Sequence, residues 1–403
     1  MRDDGTLEAR PKLAMVSTKS GPHVVLVVPD DRYFWTHRLA LARRLEEEGY
    51  DLTVAVPDGE YFERIQKTGL TLQRIRLSRK RSAWTLVSGT WDLWRLLRRR
   101  KPDLVHLVSM RAVLFGGLAA RLAGVEAKLC LLGGLGSSFI SGGPILRRFL
   151  LRAYRWVFGH GRTQVVFQNQ TDRALFLQAG LLAPEQSCLI PGSGVDLNQF
   201  PEQPEPEGEP VVLFAGRLIR DKGVVDLLQA SQRLHRRNCR HQLHLAGSLD
   251  PGNPSSLSAA ELQAWLDRPW VRHFGWVENV PERLAACHVA CLPSYREGLS
   301  LFLLEAAAAG RPLVTTDVAG CRETVLEGES GFLVPVGDPE ALAEALERLL
   351  LDPSLRRRLG SKGRALVAGR FSQSKVLEET LSLYRQLCAA AWLDCRELVE
   401  SRG

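Results

Sequence analysis

The amino-acid sequence predicts an α/β protein made of two doubly wound domains that face each other across a cleft. Three observations support this prediction. The chain has 403 residues, which is longer than one hydrophobic core usually serves. Short β-branched runs alternate with amphipathic helical patterns, as in parallel sheets covered by helices on both faces. The alternation stops once, in a stretch rich in proline, glycine and glutamate at residues 192–210, and then resumes, which indicates a linker between two sheets.

The first domain is predicted from a series of strand patterns that begins at residue 23. The strand pattern HVVLVVPDD precedes the amphipathic pattern THRLALARRLEEEGY, and a second strand pattern, DLTVAVPD, follows. After LQRIRLS comes the helical pattern AWTLVSGTWDLWRLLRRR, and the series continues with PDLVHLVS, AKLCLLGG and TQVVFQNQ. This alternation indicates a parallel sheet.

The second domain is predicted from further strand patterns with helices between them, which are VVLFAGRL, HQLHLAGS, VRHFGWV, HVACLPS and RPLVTTD. We therefore expect four segments: a flexible lead-in at 1–22, a first domain at 23–195, a second domain at 196–372, and a C-terminal helix at 373–403 that packs back on the first domain. Ligands of doubly wound sheets bind at the carboxyl ends of the strands. The cleft between the domains is therefore the expected site.

The composition excludes several classes of protein. Apolar residues make up 45% and charged residues 24% of the chain, which is typical of globular domains rather than disordered or fibrous chains. The N-terminal stretch lacks the apolar segment of a signal peptide, and no continuous apolar run is long enough to span a membrane. The cysteines are scattered without a CxxC pair, which is typical of reduced thiols in the cytoplasm. Cys287, His288 and Cys291 are interpreted as part of a buried strand rather than as metal ligands.

Charge is distributed unevenly along the chain. Residues 1–200 contain 29 Lys and Arg and 18 Asp and Glu, a net +11, whereas residues 201–403 contain 24 and 27, a net −3. The basic half is a candidate for an anionic partner. The pattern ILRRFLLRAYRWVFGH sets Arg147, Arg148, Arg152 and Arg155 among Leu, Phe, Trp and Tyr, which is typical of a helix at an anionic membrane surface. The alternative is a basic helix that only covers the sheet.

One loop of the second half has the features of a diphosphate site. In FAGRLIRDKG, Arg217 follows a strand and Lys222 precedes a helix. Two cations beside a helix N-terminus favour an anion, although solvated surface charges are the alternative. Gly216 and Gly247 each follow a strand, where the backbone can approach a ligand closely. The loop FGWVEN, which contains Val277, can flank a flat base or form an ordinary turn.

The stretch REGLSLFLLEAAAAGRP contains Glu297 and Glu305. Ser300 has the residue type and position of a helix N-cap, so the N–H groups of the stretch Gly298, Leu299 and Ser300 are expected to face an anion. Glu305 lies in a helical pattern with almost no polar side, where a carboxylate needs a partner. A carboxylate that accepts two hydrogen bonds suits a vicinal diol such as ribose. The two acids are therefore predicted to hold the hydroxyl groups of a nucleotide sugar, the alternative for Glu305 being a solvated helix face.

Together these residues resemble the retaining glycosyltransferases of family 4, which have the GT-B architecture of two Rossmann-like domains. The motifs are GRLIRDKG, the Glu-x7-Glu pair, GRPLVTTDVAG and GFLVPVGD. The resemblance implies that Arg217 and Lys222 bind the donor diphosphate, that Glu297 contacts the donor sugar and that Glu305 binds the ribose. It also implies an acceptor-side first domain and a donor-binding second domain.

The first half is similar to a narrower subgroup of this family, through RYFWTHRLALARRLEEEGYDLTVAVPDGE, VVFQNQTDRALF and LIPGSGVDLNQF. Members add N-acetylhexosamines or related sugars to polyprenyl-diphosphate-linked saccharides during polysaccharide or glycan assembly. The resemblance implies a UDP-sugar donor, an α-linked product and a peripheral position on the cytoplasmic membrane's inner face.

The catalytic residues expected from this resemblance are Glu297, Arg217 and Lys222. The chain contains no Asp-x-Asp motif, so neither a metal nor another cofactor is expected, and fixed charges would stabilise the leaving UDP. For positioning of the acceptor the candidates are His37, His106, Gly133, Gly134 and Asn169. The alternative for His106 is a strand-end histidine whose hydrogen bonds are made within the protein.

Three other functions compete with this interpretation. An epimerase acting on a nucleotide sugar would need no basic half that faces lipid. A nucleic-acid-binding protein would use the positive charge, but the basic clusters match no recognised nucleic-acid motif, so no nucleic-acid partner is expected. A catalytically inactive scaffold is disfavoured by the presence of Arg217, Lys222, Glu297 and Glu305.

Overall fold

A computed structural model describes residues 21–77, 83–134 and 144–389, without the side chains of residue 83 and residues 144–147. Most of the predicted lead-in, and the predicted C-terminal segment beyond residue 389, lie outside the described residues. No helix in the described ranges combines the length and the apolar character needed to cross a lipid bilayer.

The first sheet has seven parallel strands in the order β3-β2-β1-β4-β5-β6-β7. The strands are β1 His23–Val27, β2 Asp51–Val56, β3 Thr71–Arg74, β4 Leu104–Val108, β5 Ala127–Leu132, β6 Arg162–Phe167 and β7 Ser187–Leu189. Every residue of β4 and β5 is buried, as expected for central parallel strands that are covered on both faces.

Helices cover both faces of this sheet. They are α1 Asp31–His37, α2 Leu39–Glu47, α3 Phe62–Gln66, α4 Ala83–Arg100, α5 Gly117–Ala123, α6 Pro144–Phe158 and α7 Gln170–Gln178. One core lies on the side of α1 to α3, and a separate core lies on the side of α4 to α7. A π-helical turn, Ala112–Gly116, precedes α5, and a 3₁₀ turn, Pro184–Gln186, precedes β7.

The second sheet has six parallel strands in the order β10-β9-β8-β11-β12-β13. They are β8 Val211–Ala215, β9 Gln242–Ala246, β10 Val271–His273, β11 Val289–Leu292, β12 Leu313–Thr316 and β13 Gly331–Val334. The prediction of two doubly wound α/β domains is confirmed. The short strands β7 and β13, which lie at sheet edges, were not among the predicted strands.

The second sheet is also covered by helices on both faces. They are α8 Val224–Arg236, α9 Ala259–Leu266, α10 Val280–Ala285, α11 Leu301–Ala308, α12 Ala319–Arg322, α13 Pro339–Leu351 and α14 Pro353–Leu366. A 3₁₀ turn, Arg220–Lys222, precedes α8, and a π-helical turn, Val367–Phe371, follows α14.

The chain crosses between the domains twice, and the two crossings are hydrogen-bonded to each other. Val195 N–H donates to Phe371 O at 2.9 Å, and Gln373 N–H donates to Val195 O at 2.9 Å. The last described helix, α15 Gln373–Leu387, then packs against the first domain. Its buried Tyr384 meets the Tyr50 ring edge-on, with the ring centroids 5.8 Å apart.

The cysteines in the described ranges are free thiols. Cys287 and Cys291 are fully buried beside and within β11, and burial raises the pKa of Cys287 to about 12. His288 is bonded by the backbone, with Nδ1 accepting from Val211 N–H at 3.0 Å. The interpretation of this stretch as a buried strand is confirmed.

Candidate active site

The loops that follow β8, β9, β10 and β11 lie side by side at one edge of the second sheet. Backbone hydrogen bonds join them in pairs. Gly216 N–H donates to Ala246 O at 2.9 Å, Gly247 N–H to Gly275 O at 2.6 Å and Tyr295 N–H to Asp221 O at 2.9 Å. The residues predicted from four separate motifs are therefore brought to one strand edge, where doubly wound sheets bind ligands.

At two positions of this edge only glycine fits, because the backbone of another segment passes too close for a side chain. Gly247 has φ +149°, and a Cβ atom there would lie 1.8 Å from Gly216 O. A Cβ atom on Gly298 would lie 1.9 Å from Gly133 O, which belongs to the first domain. Any side chain at either position would push the loops apart.

Each predicted diphosphate-binding cation is paired with a carboxylate. Arg217 Nη1 lies 2.7 Å from Asp250 Oδ2. Lys222 Nζ forms an ion pair with Glu297 Oε1, and the Glu297 side chain is only 9% exposed. Neither pairing can be inferred from the sequence, because Asp250 matches no motif and the resemblance relates Glu297 only to the sugar. The site thus holds its positive charge in two internal ion pairs.

The N-terminus of α11 has the geometry predicted for it. Ser300 is the N-cap, and its hydroxyl accepts from Leu303 N–H at 3.3 Å. The cap uses the Leu303 N–H, whereas the N–H groups of Leu301 and Phe302 have no acceptor within the helix, so these two are available to an anion. Since Lys222 is paired with Glu297 three residues before this cap, a cation and the helix N-terminus lie at the same corner.

Glu305 lies on the one strip of α11 that keeps partial exposure, which it shares with Leu301 four residues earlier. Burial raises the pKa of Glu305 to about 8. Within the described ranges no side chain donates a hydrogen bond to this carboxylate. An acid that is partly buried among apolar side chains without a side-chain partner is costly for stability, and it is typical of a group that binds a ligand.

The first domain contacts the Gly298 loop directly. Asn169 Nδ2 donates to Gly298 O at 2.9 Å, while its Oδ1 accepts from Asp172 N–H at 2.8 Å and caps α7. Gly134 has φ +128°, and a Cβ atom there would lie 3.3 Å from Gly298 Cα. The residues Gly133, Gly134 and Asn169 were predicted to position an acceptor. The structure places them against the Glu297–Gly298 loop, where the Asn169 amide joins the two domains.

A second contact between the domains is made by the loop that contains Val277. The guanidinium of Arg32 lies over the Trp276 ring, 4.6 Å from its centroid. Arg64 Nη1 lies 2.9 Å from Glu278 Oε1. Val277 itself is partly buried against the second core. The predicted base-binding loop is therefore also a contact across the cleft, which the sequence did not indicate.

Comparison with known families agrees with this geometry. Residues 34–192 match the model described as glycosyl transferase 4-like domain, and residues 196–366 match glycosyl transferases group 1. The two matched segments correspond to the two domains and together span most of the chain. The protein is a glycosyltransferase of the GT-B class.

Several curated proteins and solved structures are similar to this glycosyltransferase. The N,N'-diacetylbacillosaminyl-diphospho-undecaprenol alpha-1,3-N-acetylgalactosaminyltransferase of Campylobacter jejuni is 27% identical over 86% of this chain and 94% of the relative. The capsular polysaccharide biosynthesis glycosyltransferase CapM of Staphylococcus aureus is 27% identical over 72% of this chain and 78% of the relative.

Among solved structures, sucrose-phosphate synthase from Thermosynechococcus elongatus superposes with a TM-score of 0.76 at 23% identity, covering 92% of this chain and all of the other. Anabaena HepE in complex with UDP gives a TM-score of 0.72 at 18% identity, covering 91% of this chain and all of the other. At such identities the similarity shows the GT-B fold of the glycosyltransferase and nothing finer.

The two histidines predicted to position the acceptor have different surroundings. His106 is buried in β4, and its Nδ1 lies 2.6 Å from the Tyr384 hydroxyl. Because the ring is buried in the first core, it offers no surface to an acceptor. The alternative of a strand histidine bonded within the protein holds for Nδ1 only, since Nε2 has no hydrogen-bond partner among the described residues. His37 keeps some exposure and stacks on Tyr33 at 4.2 Å between centroids. Burial, with a smaller effect of Arg38, lowers the pKa of His37 to about 4, so this ring is neutral at physiological pH.

Arg296 of the glycosyltransferase, which directly precedes Glu297, was not among the predicted site residues. Its side chain is half-buried, and burial lowers its pKa while Asp172 of the first domain acts in the opposite direction. Its guanidinium forms no hydrogen bond or ion pair with the described residues. Only its position next to Glu297 could have indicated Arg296 as a site residue, because an arginine in a loop is otherwise typical of an ordinary surface charge.

Proposed function

We propose that this glycosyltransferase moves a sugar from a UDP-sugar to a polyprenyl-diphosphate-linked saccharide with retention of anomeric configuration, giving an α linkage. The sugar proposed is an N-acetylhexosamine or a related sugar, and the product belongs to cell-surface polysaccharide or glycan assembly. The observation that carries the proposal is the corner where the Lys222–Glu297 ion pair meets the N-terminus of α11.

Two similarities favour these finer details. The C. jejuni relative is named for transfer of N-acetylgalactosamine to a saccharide on undecaprenyl diphosphate. The Anabaena neighbour was solved with UDP. The chain is similar to the first over nearly its whole length, so the same classes of donor and acceptor are reasonable for it.

Donor binding would exchange the partners of both ion pairs. The UDP diphosphate would attract Arg217 away from Asp250 and Lys222 away from Glu297, and the N–H groups at Gly298, Leu299 and Ser300 would add to its binding. The released Glu297 carboxylate would then accept a hydrogen bond from a hydroxyl of the donor sugar. The phosphate and the sugar would thus be recognised together.

The remaining donor contacts follow from the same arrangement. Glu305 would accept from the two ribose hydroxyls, and this would favour its charged form. Val277 would flank the base, while Gly216 and Gly247 would allow close approach of the backbone. Each of these groups belongs to a loop or helix at the same strand edge.

In the transition state the leaving UDP gains negative charge. Arg217, Lys222 and the helix N-terminus would stabilise that charge as fixed dipoles and cations, so we propose that no metal or other cofactor is needed. The leaving phosphate would itself take the proton from the acceptor hydroxyl. The acceptor would approach from the first domain, and its lipid would keep the enzyme at the inner face of the cytoplasmic membrane, to which the basic half is suited.

The test is calorimetry of UDP and a panel of UDP-sugars against wild type, Glu305→Ala and a matched control, Glu344→Ala, which changes an exposed acid on α13. We expect UDP binding that Glu305→Ala weakens at least tenfold and that Glu344→Ala leaves unchanged. The best UDP-sugar is then incubated with a polyprenyl-diphosphate-linked saccharide, and the anomeric configuration of the product is read by NMR. A protein that binds no nucleotide would overturn the proposal. Epimerisation of the donor without acceptor would establish the competing epimerase instead.

A further inference from the structure

The loop at residues 293–300, which we call the donor loop, contains one cation that the proposed reaction does not use. This cation is Arg296, whose half-buried guanidinium forms no hydrogen bond or ion pair with any residue in the described ranges. The two other cations of the site are each in an ion pair with a carboxylate. Burial without a partner is costly for a charged group, and it lowers the pKa of Arg296. A ligand of opposite charge would remove this cost.

The backbone around Arg296 is held in place, so the unpaired guanidinium does not result from a loose loop. The hydroxyl of the fully buried Ser294 donates to Arg296 O at 3.0 Å and accepts from Arg296 N–H at 3.4 Å. On the other side of Glu297, Gly298 O accepts from Asn169 Nδ2 at 2.9 Å. These hydrogen bonds position the loop and leave the Arg296 side chain available to a ligand.

The two charged residues of the donor loop are directed to different domains. Glu297 is paired with Lys222 in the second domain, whereas the acid that raises the pKa of Arg296 is Asp172, on α7 of the first domain. Asp172 is buried, and its Oδ2 accepts from Asn169 Nδ2 at 3.0 Å, so this carboxylate is engaged within its own domain. The Arg296 guanidinium therefore lies on the side of the cleft from which the acceptor would approach.

The proposed reaction brings two diphosphates into the cleft, and the site described above binds only one of them. Arg217, Lys222 and the N-terminus of α11 would bind the diphosphate of the donor. The acceptor has a diphosphate of its own between its sugar and its lipid, and two such anions repel each other at close range. A cation on the first-domain side of the donor loop is placed to bind the second diphosphate and to reduce this repulsion.

We propose that Arg296 binds the diphosphate of the acceptor and that the acceptor carries a single sugar. The proposal rests on the proposed function, because it takes the acceptor to be a polyprenyl-diphosphate-linked saccharide. Arginine suits this role, since its planar guanidinium can donate two parallel hydrogen bonds to one phosphate. The proposal assigns a role to a residue that donor recognition leaves unused.

The single sugar follows from the spacing of two neighbouring residues. Consecutive Cα atoms are about 3.8 Å apart, so the side chains of Arg296 and Glu297 start from the same part of the loop. The attacking hydroxyl must reach the anomeric carbon of a donor sugar that Glu297 holds. A phosphate bound by Arg296 lies within the length of one arginine side chain from the loop. One hexose spans the distance between these two points, and two hexoses do not.

The experiment compares four probes by calorimetry with protein that is saturated with UDP. N-acetylglucosamine and N-acetylgalactosamine are each linked to farnesol, either through a diphosphate or directly as an uncharged glycoside. Because UDP fills the donor site, a preference for the diphosphate probes reports a second diphosphate site. Wild type should prefer them roughly tenfold or more, and Arg296→Met should lose this preference. Arg296→Lys, which keeps the charge without the paired donors, should retain part of it.

Three further measurements separate this role from a structural one. Arg357→Met, at an exposed position on α14, is the matched control and should bind every probe as wild type does. In turnover with the best donor, Arg296→Met should raise KM for the diphosphate acceptor roughly tenfold and leave KM for the UDP-sugar unchanged. Urea unfolding should show Arg296→Met to be as stable as wild type, since the cation has no partner to lose.

The length of the saccharide is tested with a second N-acetylglucosamine added to the diphosphate probe. Binding of this longer probe should be the same in wild type and Arg296→Met, because its diphosphate lies beyond the reach of Arg296. An equal effect of the variant on the one-sugar and two-sugar probes would overturn the assignment of a single sugar.

Two other results would overturn the role of Arg296 itself. One is a diphosphate preference that is absent in wild type or persists in Arg296→Met, and the other is a weaker affinity of Arg296→Met for UDP. Failure of the proposed function gives a different result, because wild type then binds no UDP. The same probes are titrated without UDP in that case. A diphosphate preference that depends on Arg296 would then retain its binding role while the transferase proposal is refuted.

Discussion

Lys222 and Glu297 are 75 residues apart in the sequence and form an ion pair at the site. Their pairing joins the turn after β8 to the loop after β11, two strands that are neighbours in the second sheet. One residue is assigned to the donor phosphate and the other to the donor sugar. The contact therefore couples the two parts of donor recognition, and each partner can be removed separately.

Lys222→Ala is expected to impair both binding and turnover. The change removes a cation from the diphosphate and leaves the nearly buried Glu297 carboxylate without its partner. We expect UDP affinity to fall roughly tenfold or more and kcat to fall roughly 10²- to 10³-fold. Calorimetry and steady-state rates measure these effects. Lys362→Ala, an exposed lysine on α14, is the control, and full activity in Lys222→Ala would contradict the assignment.

Glu297→Gln should separate phosphate recognition from sugar transfer. Without the carboxylate, Lys222 is released from its internal partner, so UDP alone should bind at least as tightly as it does to wild type. Turnover should nevertheless fall roughly 10²-fold, since a hydrogen bond that strengthens in the transition state is lost. Calorimetry with UDP beside rate measurements with the UDP-sugar tests this pattern. Weaker UDP binding with normal turnover would instead assign Glu297 to recognition of the phosphate and not to transfer of the sugar.

Asp250→Asn is expected to tighten UDP binding. Asp250 competes with the diphosphate for Arg217, and their pair is 2.7 Å long with both side chains at least one-third exposed. Such pairs contribute little, so the gain should be about two- to fivefold and should shrink as salt is added. Asp267→Asn, at an exposed position after α9, controls for the lost charge. Weaker binding in Asp250→Asn would mean that Asp250 positions Arg217 instead of competing for it.

The raised pKa of Glu305 predicts the direction in which the stability of the folded protein changes with pH. Its pKa in the folded protein is raised by burial from 4.5 to about 8, so the folded state keeps a proton that the unfolded state has lost. Stability therefore decreases as pH rises from 4.5 to about 8. Over that pH window Glu305→Gln should have a higher free energy of unfolding than wild type, by roughly 1 to 3 kcal/mol. The difference is limited to this size because partial exposure screens the charge. Urea unfolding at several pH values measures this difference.

The same carboxylate should make UDP binding dependent on pH. If the ribose hydroxyls donate to the charged form, binding releases the proton that burial had retained. UDP itself loses a phosphate proton at about pH 6 in both experiments. Affinity for UDP should therefore rise more steeply from pH 5 to pH 8 in wild type than in Glu305→Gln, and the excess reports Glu305. Calorimetry in buffers of different ionisation enthalpy counts the released proton. An equal pH profile in the two proteins would remove Glu305 from the donor site.

The sequence predicted the parts of the site that depend on local pattern. The cap at Ser300 follows from residue type at a helix start, and the apolar surroundings of Glu305 can be read from its neighbours along the chain. The partners of Arg217 and Lys222 depend on which loops the strand order places together, so no local pattern contains them. His106 was ambiguous for the same reason, since its hydrogen-bond partner Tyr384 is 278 residues away.

The tryptophans of α4 show a different limit of sequence reasoning. The apolar residues of α4 are spread around most of the helix, so the sequence pattern alone does not say which of them face the core. Which side faces the sheet is decided by packing: Leu93, Leu96 and Leu97 fill the core, and Trp84 and Trp91 are left outside. Large apolar residues are usually assigned to the core first, and here that rule selects the leucines correctly but gives no account of the tryptophans.

Asn169 tests whether the contact between the domains matters for catalysis. Asn169→Ser keeps a side-chain oxygen that can cap α7 but lacks the amide that donates to Gly298 O at 2.9 Å. Ser and Asn are similar as N-caps, but Asn169 is buried and its amide also donates to Asp172 Oδ2 at 3.0 Å. The free energy of unfolding should therefore fall by about 1 to 2 kcal/mol. Turnover should fall several-fold, because the Glu297–Gly298 loop loses its link to the first domain.

The control for Asn169→Ser is Asp338→Ser, which exchanges the N-cap of α13 in the second domain. It should leave turnover unchanged while reporting what a cap exchange costs in stability. Rates and urea unfolding of both variants are compared with wild type. If the lower turnover of Asn169→Ser is fully explained by the fraction of protein that is unfolded, the residue serves only as a helix cap. A loss of turnover that persists at a temperature where Asn169→Ser is fully folded would show that the hydrogen bond to Gly298 holds the donor loop in its active position.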